Sequence, residues 1–272
     1  MHRAKWMIFF MITLFSFNSL AETISFGVVP QQSAKKLAAL WTPVLQYLSQ
    51  QTGLELRFTT AKDIPEFEKR VLAGEYDLAY MNPYHYTVFC QTPGYQAIAK
   101  EADKVIKGIF VVGKDSPINS LEQLNGATIA FPSPAAFAAS IITRAQLRQS
   151  GIEFTPKYVS SHDSVYLNVQ RGFFPAGGGI MRTLNNTAPE VRSELRVLWT
   201  TPGYTSHAIA AHPRVELATR QKIVQAMLAM SQDPQGKALL AKLNFKGLEE
   251  AEDKQWDDVR ALNIDLLDKL LQ

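Results

Sequence analysis

Cysteine is almost absent from this chain of 272 residues, because Cys90 is the only one. A single cysteine excludes an intramolecular disulfide and the paired-cysteine spacing of a structural zinc site. The five histidines are scattered without the H-E-x-x-H spacing of a metalloenzyme helix. We therefore expect no metal and no cofactor. The G-x-S-x-G pattern of a hydrolase nucleophile is also missing.

A large excess of one charge is lacking as well. The chain has 28 Lys and Arg residues against 25 Asp and Glu residues. Two of the basic residues, Arg3 and Lys5, lie in the first segment of the chain, which leaves the remainder close to neutral. Nucleic-acid binding requires a clustered basic excess, so the sequence argues against a nucleic-acid partner.

Long hydrophobic runs are confined to the N terminus. Arg3 and Lys5 precede an apolar run over residues 6–17, and the small residues Ser19 and Ala21 follow it. This pattern predicts a signal peptide over residues 1–21 and export of the chain. The run is too short for a convincing membrane span. Without disulfides, the roughly 250 remaining residues must fold by core burial alone, and that length is ample for two lobes.

Apolar periodicity predicts two successive series of strands and helices, which is typical of parallel α/β sheets. The first series has predicted strands at residues 23–29, 54–59, 76–80, 95–99 and 107–112, with helices at 33–53 (bent or restarted at Pro43) and 63–72. The second has strands at residues 127–131, 157–160 and 195–200, with helices at 135–149 and 164–171 and a permissive glycine turn at 177–179. Residues from 215 onward are predicted to be helical, and residues 256–271 to end in an amphipathic helix.

The abrupt turn NPYHY at residues 82–86 follows a short buried strand. Small ligands bind at the carboxyl ends of strands in open α/β sheets, where the next helix points its amide groups into the crevice. Tyr84, His85 and Tyr86 are therefore candidates for a ligand wall. The alternative is that Pro83 merely starts a helix and the tyrosines pack.

A second candidate stretch is the strand-to-helix junction FPSPAAFAAS at residues 131–140. Ser133, Ala135, Ala136 and Phe137 lie where small residues would let an anion approach the amides of the first helical turn. The alternative is an ordinary junction that Ser133 caps.

A third candidate stretch is SSHDS at residues 160–164. His162 could donate a hydrogen bond to an oxyanion, and Asp163 could hold the imidazole. The alternative is that Ser161 or Asp163 caps a helix on which His162 is exposed. Ser133, His162 and Asp163 are the residue types of a hydrolase triad, but adjacent His and Asp side chains point in different directions, so we expect no catalytic residues. Three candidate loops from both halves favour a cleft between two lobes.

The motifs ISFGVVP, NPYHY, FPSPAAFAAS, SSHDSVYLNVQRG and TPGYTSHAIAAHP, in this order, resemble the phosphonate-binding branch of bacterial periplasmic solute-binding proteins. The resemblance implies a two-lobed α/β fold of two open sheets with flanking helices, joined by a two-strand hinge. It places the first lobe at residues 22–107 with 207–272 returning to it, and the second lobe at 108–206.

The resemblance also implies a function, namely capture of a small phosphonate-like oxyanion by a monomer for an ABC permease in the inner membrane. Carried over by motif, the first-lobe tyrosine is Tyr84, the helix-start cluster covers residues 133–138, and the second-lobe histidine is His162. The run of alanines at that helix start replaces the hydroxyls usual in the family, which favours a less polar ligand or one held by backbone amides.

The sequence leaves alternatives for the partner protein and for the role of Cys90. The same fold could present its ligand to a membrane sensor kinase instead of a permease. Cys90, close behind the tyrosine turn, could meet a thiophilic ligand, although a lone cysteine flanked by Val88 and Phe89 is more often simply buried.

Overall fold

The computed structural model describes residues 23–267. The predicted leader, residues 1–21, lies outside them and stays a prediction. Within the described range, no helix is both long enough and apolar enough to cross a membrane.

Strands and helices alternate through the first part of the chain, as the periodicity predicts. They are β1 (Thr23–Val28), α1 (Ala34–Thr52), β2 (Glu55–Thr60), α2 (Ile64–Leu72), β3 (Leu78–Met81), α3 (Pro83–Phe89), β4 (Gln96–Glu101), β5 (Val105–Ile106) and β6 (Ile109–Gly113). Helix α1 runs unbroken through Pro43, because its buried face, which includes Trp41, Val44 and Leu48, packs into the core.

The second part adds eight strands and helices before the chain returns to the first sheet. They are β7 (Ala127–Phe131), α4 (Ile142–Gln149), β8 (Phe154–Tyr158), α5 (His162–Gln170), β9 (Gly177–Gly179), α6 (Met181–Asn185), α7 (Pro189–Arg192) and β10 (Leu195–Thr200). The returning elements are β11 (Tyr204–Thr205), β12 (Ala208–Ala211), α8 (Leu217–Met230), α9 (Pro234–Lys242), β13 (Leu248–Glu250) and α10 (Asp257–Arg260). Short 3-10 turns cover Glu122–Leu124 and Asp253–Trp256, and a π-helical turn, Phe137–Ile141, leads into α4.

These strands form two main sheets. The first has the order β13-β4-β12-β3-β1-β2 and the second β10-β6-β9-β7-β8. Alternate residues of β6 enter different apolar clusters, with Phe110 in one and Val111 in the other, so the second sheet has a core on both faces. The predicted fold class, two open α/β sheets with flanking helices, is confirmed. The name first lobe denotes the part built on the six-stranded sheet, and second lobe the part built on the five-stranded sheet.

A two-stranded ribbon of β5 and β11 joins the lobes. The C-terminal turns hold this hinge: Asp258 accepts a hydrogen bond from the main-chain N–H of Thr205 at 2.7 Å. The buried indole of Trp256 donates to the carbonyl of Ser206 at 2.9 Å. The hinge is therefore fixed to the first lobe through residues beyond 250.

The glycine run at 177–179 is a buried strand, so the predicted turn was wrong. A Cβ on Gly178 would lie 2.1 Å from the carbonyl oxygen of Ala139, and one on Gly179 would lie 2.4 Å from the hydroxyl of Tyr166. The strand pairs with β6 and β7, and its residues must be glycines because its neighbours leave no space for side chains. A pattern based on hydrophobic side chains cannot detect such a strand.

The predicted C-terminal helix was also wrong within the described residues. Helix α10 ends at Arg260, and Asn263 has a positive φ of 49°, which a continuing right-handed helix does not allow. Residues 268–271 of that prediction lie outside the described range.

Candidate functional site

The topology brings a defined set of loops to one edge of each sheet. In the first sheet β1 and β3 run parallel, and β12 runs antiparallel to β3 with Ala208 opposite Met81. The residues after β1 and β3 and the residue before β12, His207, therefore lie at the same edge. In the second sheet β7 runs parallel to β8 and β9, so Ser133, His162 and Arg182 follow strands that end at one edge.

The tyrosine turn starts helix α3 at the first of these edges. Asn82 caps the helix, because its side-chain oxygen accepts the N–H of His85 at 2.8 Å, and Pro83 occupies the first helical position. The hydroxyl of Tyr84 accepts the main-chain N–H of Leu267 at 2.9 Å, and the side chain is 3% exposed. Tyr84 therefore lies beneath the C-terminal segment.

The next two predicted residues are engaged inside the first lobe. His85 Nε2 lies 2.9 Å from Glu68 Oε1, and both side chains are buried. The hydroxyl of Tyr86 donates to Asp253 at 2.8 Å, and its ring packs on Trp256 with centroids 4.5 Å apart. These contacts match the alternative in which the side chains pack. A ligand contact of His85 or Tyr86 stays a prediction, and the site below is built from other side chains.

The second-lobe junction differs from its prediction. The helix begins with a π-helical turn at Phe137 instead of at Ala135, and the capping position is Ala136, with no side-chain cap. Ser133 thus does not cap the helix. The main-chain N–H groups of the first helical turn, which begins at Phe137, have no hydrogen-bond acceptor within the helix, as at every helix start. Phe137 is 6% exposed and belongs to the same apolar cluster as Tyr84, so its ring forms part of the contact between the lobes.

His162 is the first residue of α5, which Ser161 caps by accepting the N–H of Ser164. Its Nδ1 lies 3.1 Å from Thr183 Oγ1, and Thr183 lies 2.7 Å from the hydroxyl of Tyr166. Burial lowers the pKa of His162 below its usual range. With Nδ1 engaged, Nε2 at the opposite edge of the ring is the nitrogen that a ligand would meet. Asp163 is exposed, and its charge opposes that fall in the pKa of His162.

Sequence reasoning missed Tyr80, His207 and Gln31 in the first lobe. The rings of Tyr80 and His207 stack with centroids 5.0 Å apart and planes 16° apart. The side-chain amide of Gln31 reaches His207 Nε2 at 2.7 Å. Burial, and then the charges of His85, Arg182 and Lys104, lower the pKa of His207 to about 3, so the ring is neutral at pH 7.

Arg182, which sequence reasoning also missed, carries a charge that affects titratable groups at both edges. It lies near the start of α6, one residue before the Thr183 that holds His162. The charge of Arg182 acts on the pKa values of His162 in its own lobe and of Tyr80, Glu101 and His207 in the other. The ribbon of β5 and β11 joins the two lobes, and Phe137 of the second lobe packs in the same apolar cluster as Tyr84 of the first. We call the space between the two edges the gap.

Cys90 lies away from that gap. It borders an open surface depression with Tyr86, Asp253 and Arg260, and its Sγ lies 3.4 Å from the Arg260 guanidinium. Burial raises the pKa of the thiol, which disfavours the reactive thiolate.

Comparison with known proteins agrees with the geometry. A family model described as "ABC transporter, phosphonate, periplasmic substrate-binding protein" matches residues 26–256. The phosphonates-binding periplasmic protein of Escherichia coli (strain K12) is 23% identical over 89% of this chain and 76% of its own length. A probable ABC transporter phosphite-binding protein, PhnD1 of Prochlorococcus marinus (strain MIT 9301), is 24% identical over 89% of each chain.

A solved structure of Prochlorococcus marinus PhnD1 in complex with methylphosphonate superposes with a TM-score of 0.76, at 23% identity, over 89% of this chain and 97% of that one. At this identity the superposition establishes the fold. The family model covers most of the chain, from within β1 to the last 3-10 turn. The chain therefore belongs to the family of periplasmic substrate-binding proteins of phosphonate ABC transporters.

Proposed function

We propose that this protein captures a small phosphonate-like oxyanion in the gap between its two lobes and delivers it, as a monomer, to an ABC permease in the inner membrane. The observation that carries the proposal is the position of two polar clusters: His207 with Tyr80 lies at the strand-end edge of the first sheet, and His162 with Thr183 lies at the strand-end edge of the second. A ligand in that gap would touch both lobes. We further propose that residues 1–21 direct the export of the chain to the periplasm.

The phosphonyl group would be held mainly from the second lobe. The amides of Phe137, Ala138 and Ala139 at the start of the helix offer donors without a formal charge. His162, fixed by Thr183, offers Nε2. Because the hydroxyls usual in the family are replaced in this chain by Ala135, Ala136 and neighbouring apolar residues, backbone amides carry most of this recognition.

The first lobe would close onto the ligand through Tyr80 and His207, while a ligand contact of Tyr84, which lies beneath the C-terminal segment, stays a prediction. A ligand that contacts both lobes favours the closed arrangement by its differential affinity for that state. The ribbon of β5 and β11 is the place where the lobes can rotate, since only two short strands cross between the sheets there. The family favours delivery to a transporter over the sensor-kinase alternative.

Calorimetric titration of the purified chain from residue 22 onward tests the proposal. Methylphosphonate, phosphite and phosphate are the ligands, and sulfate is the comparison anion. The ring of Trp41 packs at a tilt against Tyr80 with centroids 4.8 Å apart, so tryptophan fluorescence gives an independent signal from the gap. We expect one-to-one binding of at least one phosphorus oxyanion, together with a fluorescence change.

Two histidines at opposite ends of β12 give a matched pair of variants. His207 precedes the strand at the gap, and His212 follows it at the far edge. We expect H207Q to weaken binding and H212Q to leave it unchanged. Absence of heat and of fluorescence change with all three phosphorus ligands, in protein that unfolds cooperatively, would refute the proposed function.

A further inference from the structure

The side chains of Tyr80, His207 and Gln31 in the first lobe form a polar face of the gap, which is separate from the helix-start amides of the second lobe. His207 is held between the ring of Tyr80, stacked at 5.0 Å, and the amide of Gln31, at 2.7 Å from Nε2. An amide nitrogen only donates, so His207 Nε2 accepts and the hydrogen of the neutral ring lies on Nδ1. His207 therefore presents a hydrogen-bond donor on its other nitrogen.

Arg182 adds a full positive charge to this face. Among residues 23–267, no carboxylate lies within ion-pair distance of its guanidinium, and the side chain is exposed. An exposed, unpaired arginine is common on protein surfaces. This one differs in its position, because it follows β9 at the strand-end edge that His162 occupies, one residue before the Thr183 whose hydroxyl lies 3.1 Å from His162 Nδ1. Its charge also lowers the pKa values of His162 and His207.

The acidic side chains near this face do not neutralise the positive charge of Arg182. Glu101, at the end of β4, is buried and lies 3.8 Å from Lys104, and Lys246 also acts on it. Burial raises the pKa of Glu101, which favours its neutral form. Asp163 is exposed at the first turn of α5, where it favours the protonated form of His162. The face thus presents donors and positive charge, which suits an anion and repels an ammonium group.

We propose that the ligand carries a second negatively charged group, such as a carboxylate, and that Arg182 with His207 and Gln31 binds this group while the helix start binds the phosphonyl group. The inference rests on the proposed function and adds the class of ligand, a small oxyanion with two anionic ends. Arg182 is then the residue that determines specificity.

Three phosphonates that differ only in their substituent test the inference: methylphosphonate, 3-phosphonopropionate and 2-aminoethylphosphonate. We expect the wild type to bind 3-phosphonopropionate about ten-fold more tightly than methylphosphonate, as one added charge-assisted contact allows, and to bind the amine most weakly. We expect R182Q to abolish most of the preference for the carboxylate, because its affinity for 3-phosphonopropionate should fall about ten-fold more than its affinity for methylphosphonate.

The matched control is R171Q. Arg171 is an arginine of the same lobe at the opposite end of α5 from His162, and its side chain is exposed, so its removal should leave all three affinities unchanged. Equal affinity of the wild type for the carboxylate and methyl compounds, or an equal loss of both in R182Q, overturns the inference while the proposed function stands. Failure of the wild type to bind any of the three phosphonates overturns the inference, and it refutes the proposed function as well if phosphite and phosphate also fail to bind.

Discussion

The main-chain N–H of Leu267 donates a hydrogen bond of 2.9 Å to the hydroxyl of Tyr84, which lies 183 positions earlier in the chain. Both residues are buried. The same C-terminal stretch holds the hinge through Asp258 and Thr205. Tyr84, the tyrosine that the family resemblance assigns to the ligand, therefore lies at the junction of the first lobe with the segment that fixes the hinge.

Tyr84→Phe should lower the free energy of unfolding by about 1 kcal/mol, because the buried N–H of Leu267 loses its acceptor. Urea denaturation followed by circular dichroism measures this change. Thr87→Val is a suitable comparison within α3, since the hydroxyl of Thr87 bonds to the carbonyl of Tyr84 within its own helix. A Tyr84→Phe variant as stable as the wild type would contradict the assigned contact.

Thr183→Val should weaken binding of the phosphorus oxyanion by about ten-fold, because His162 loses the partner that fixes Nδ1 and orients Nε2 toward the gap. Titration calorimetry measures the affinity, and thermal unfolding checks the fold. The matched control is Thr187→Val on the next turn of the chain, whose hydroxyl donates to the carbonyl of Thr183 and does not touch His162. Equal affinities in the two variants would show that Thr183 does not position the histidine.

Much of the fold could be predicted because its strands carry the signals that sequence patterns detect. Strand β1 contains the β-branched residues Thr23, Ile24 and Val28, β3 is buried along its whole length, and Asn82-Pro83 marks the start of α3. His162 was found for the same reason, because it follows a predicted strand and stands beside a capping serine. Position after a strand is a local property, so one sequence is enough to reveal it.

Arg182 and His207 could not be found in this way. Arg182 follows β9, a strand of three glycines that forms by pairing with β6 and β7 and has no apolar side chains for a sequence pattern to detect. His207 precedes its strand, and only the antiparallel pairing of β12 with β3 brings that end to the ligand edge. Both placements depend on tertiary pairing, which is absent from local sequence patterns.

Cys90→Ser should leave the affinity for every phosphorus oxyanion unchanged. The thiol lies beside Arg260 and donates to the carbonyl of Thr87, in a depression separate from the residues of the gap. Calorimetry on the variant and on wild type treated with a thiol-blocking reagent measures this directly. A loss of affinity in Cys90→Ser would return the cysteine to the ligand site.

Gly178→Ala should destabilise the protein by about 3 kcal/mol or more, because the new methyl group would meet the carbonyl oxygen of Ala139 at 2.1 Å and the ring of Phe131 at 2.7 Å. The matched control is Gly113→Ala, because Gly113 ends β6 and no atom beyond its own chain neighbours lies within 4 Å of the position that its methyl group would take. Thermal unfolding should separate the two variants clearly. Equal melting temperatures would mean that β9 packs less closely than these distances require.

The pH dependence of folding should report His207. Its folded pKa of about 3 lies below the ordinary value of 6.5, so between these values the unfolded chain binds more protons than the folded one. The stability due to this histidine is complete above pH 6.5 and is lost as the pH falls, by at most about 1.4 kcal/mol per pH unit for one proton. Urea denaturation of wild type and H207Q from about pH 7.5 to about pH 5 isolates this contribution, because the glutamine does not titrate. We expect the stability of the wild type to fall more steeply with decreasing pH than that of H207Q, and parallel curves would show that His207 accepts a proton as readily in the folded protein as in the unfolded chain.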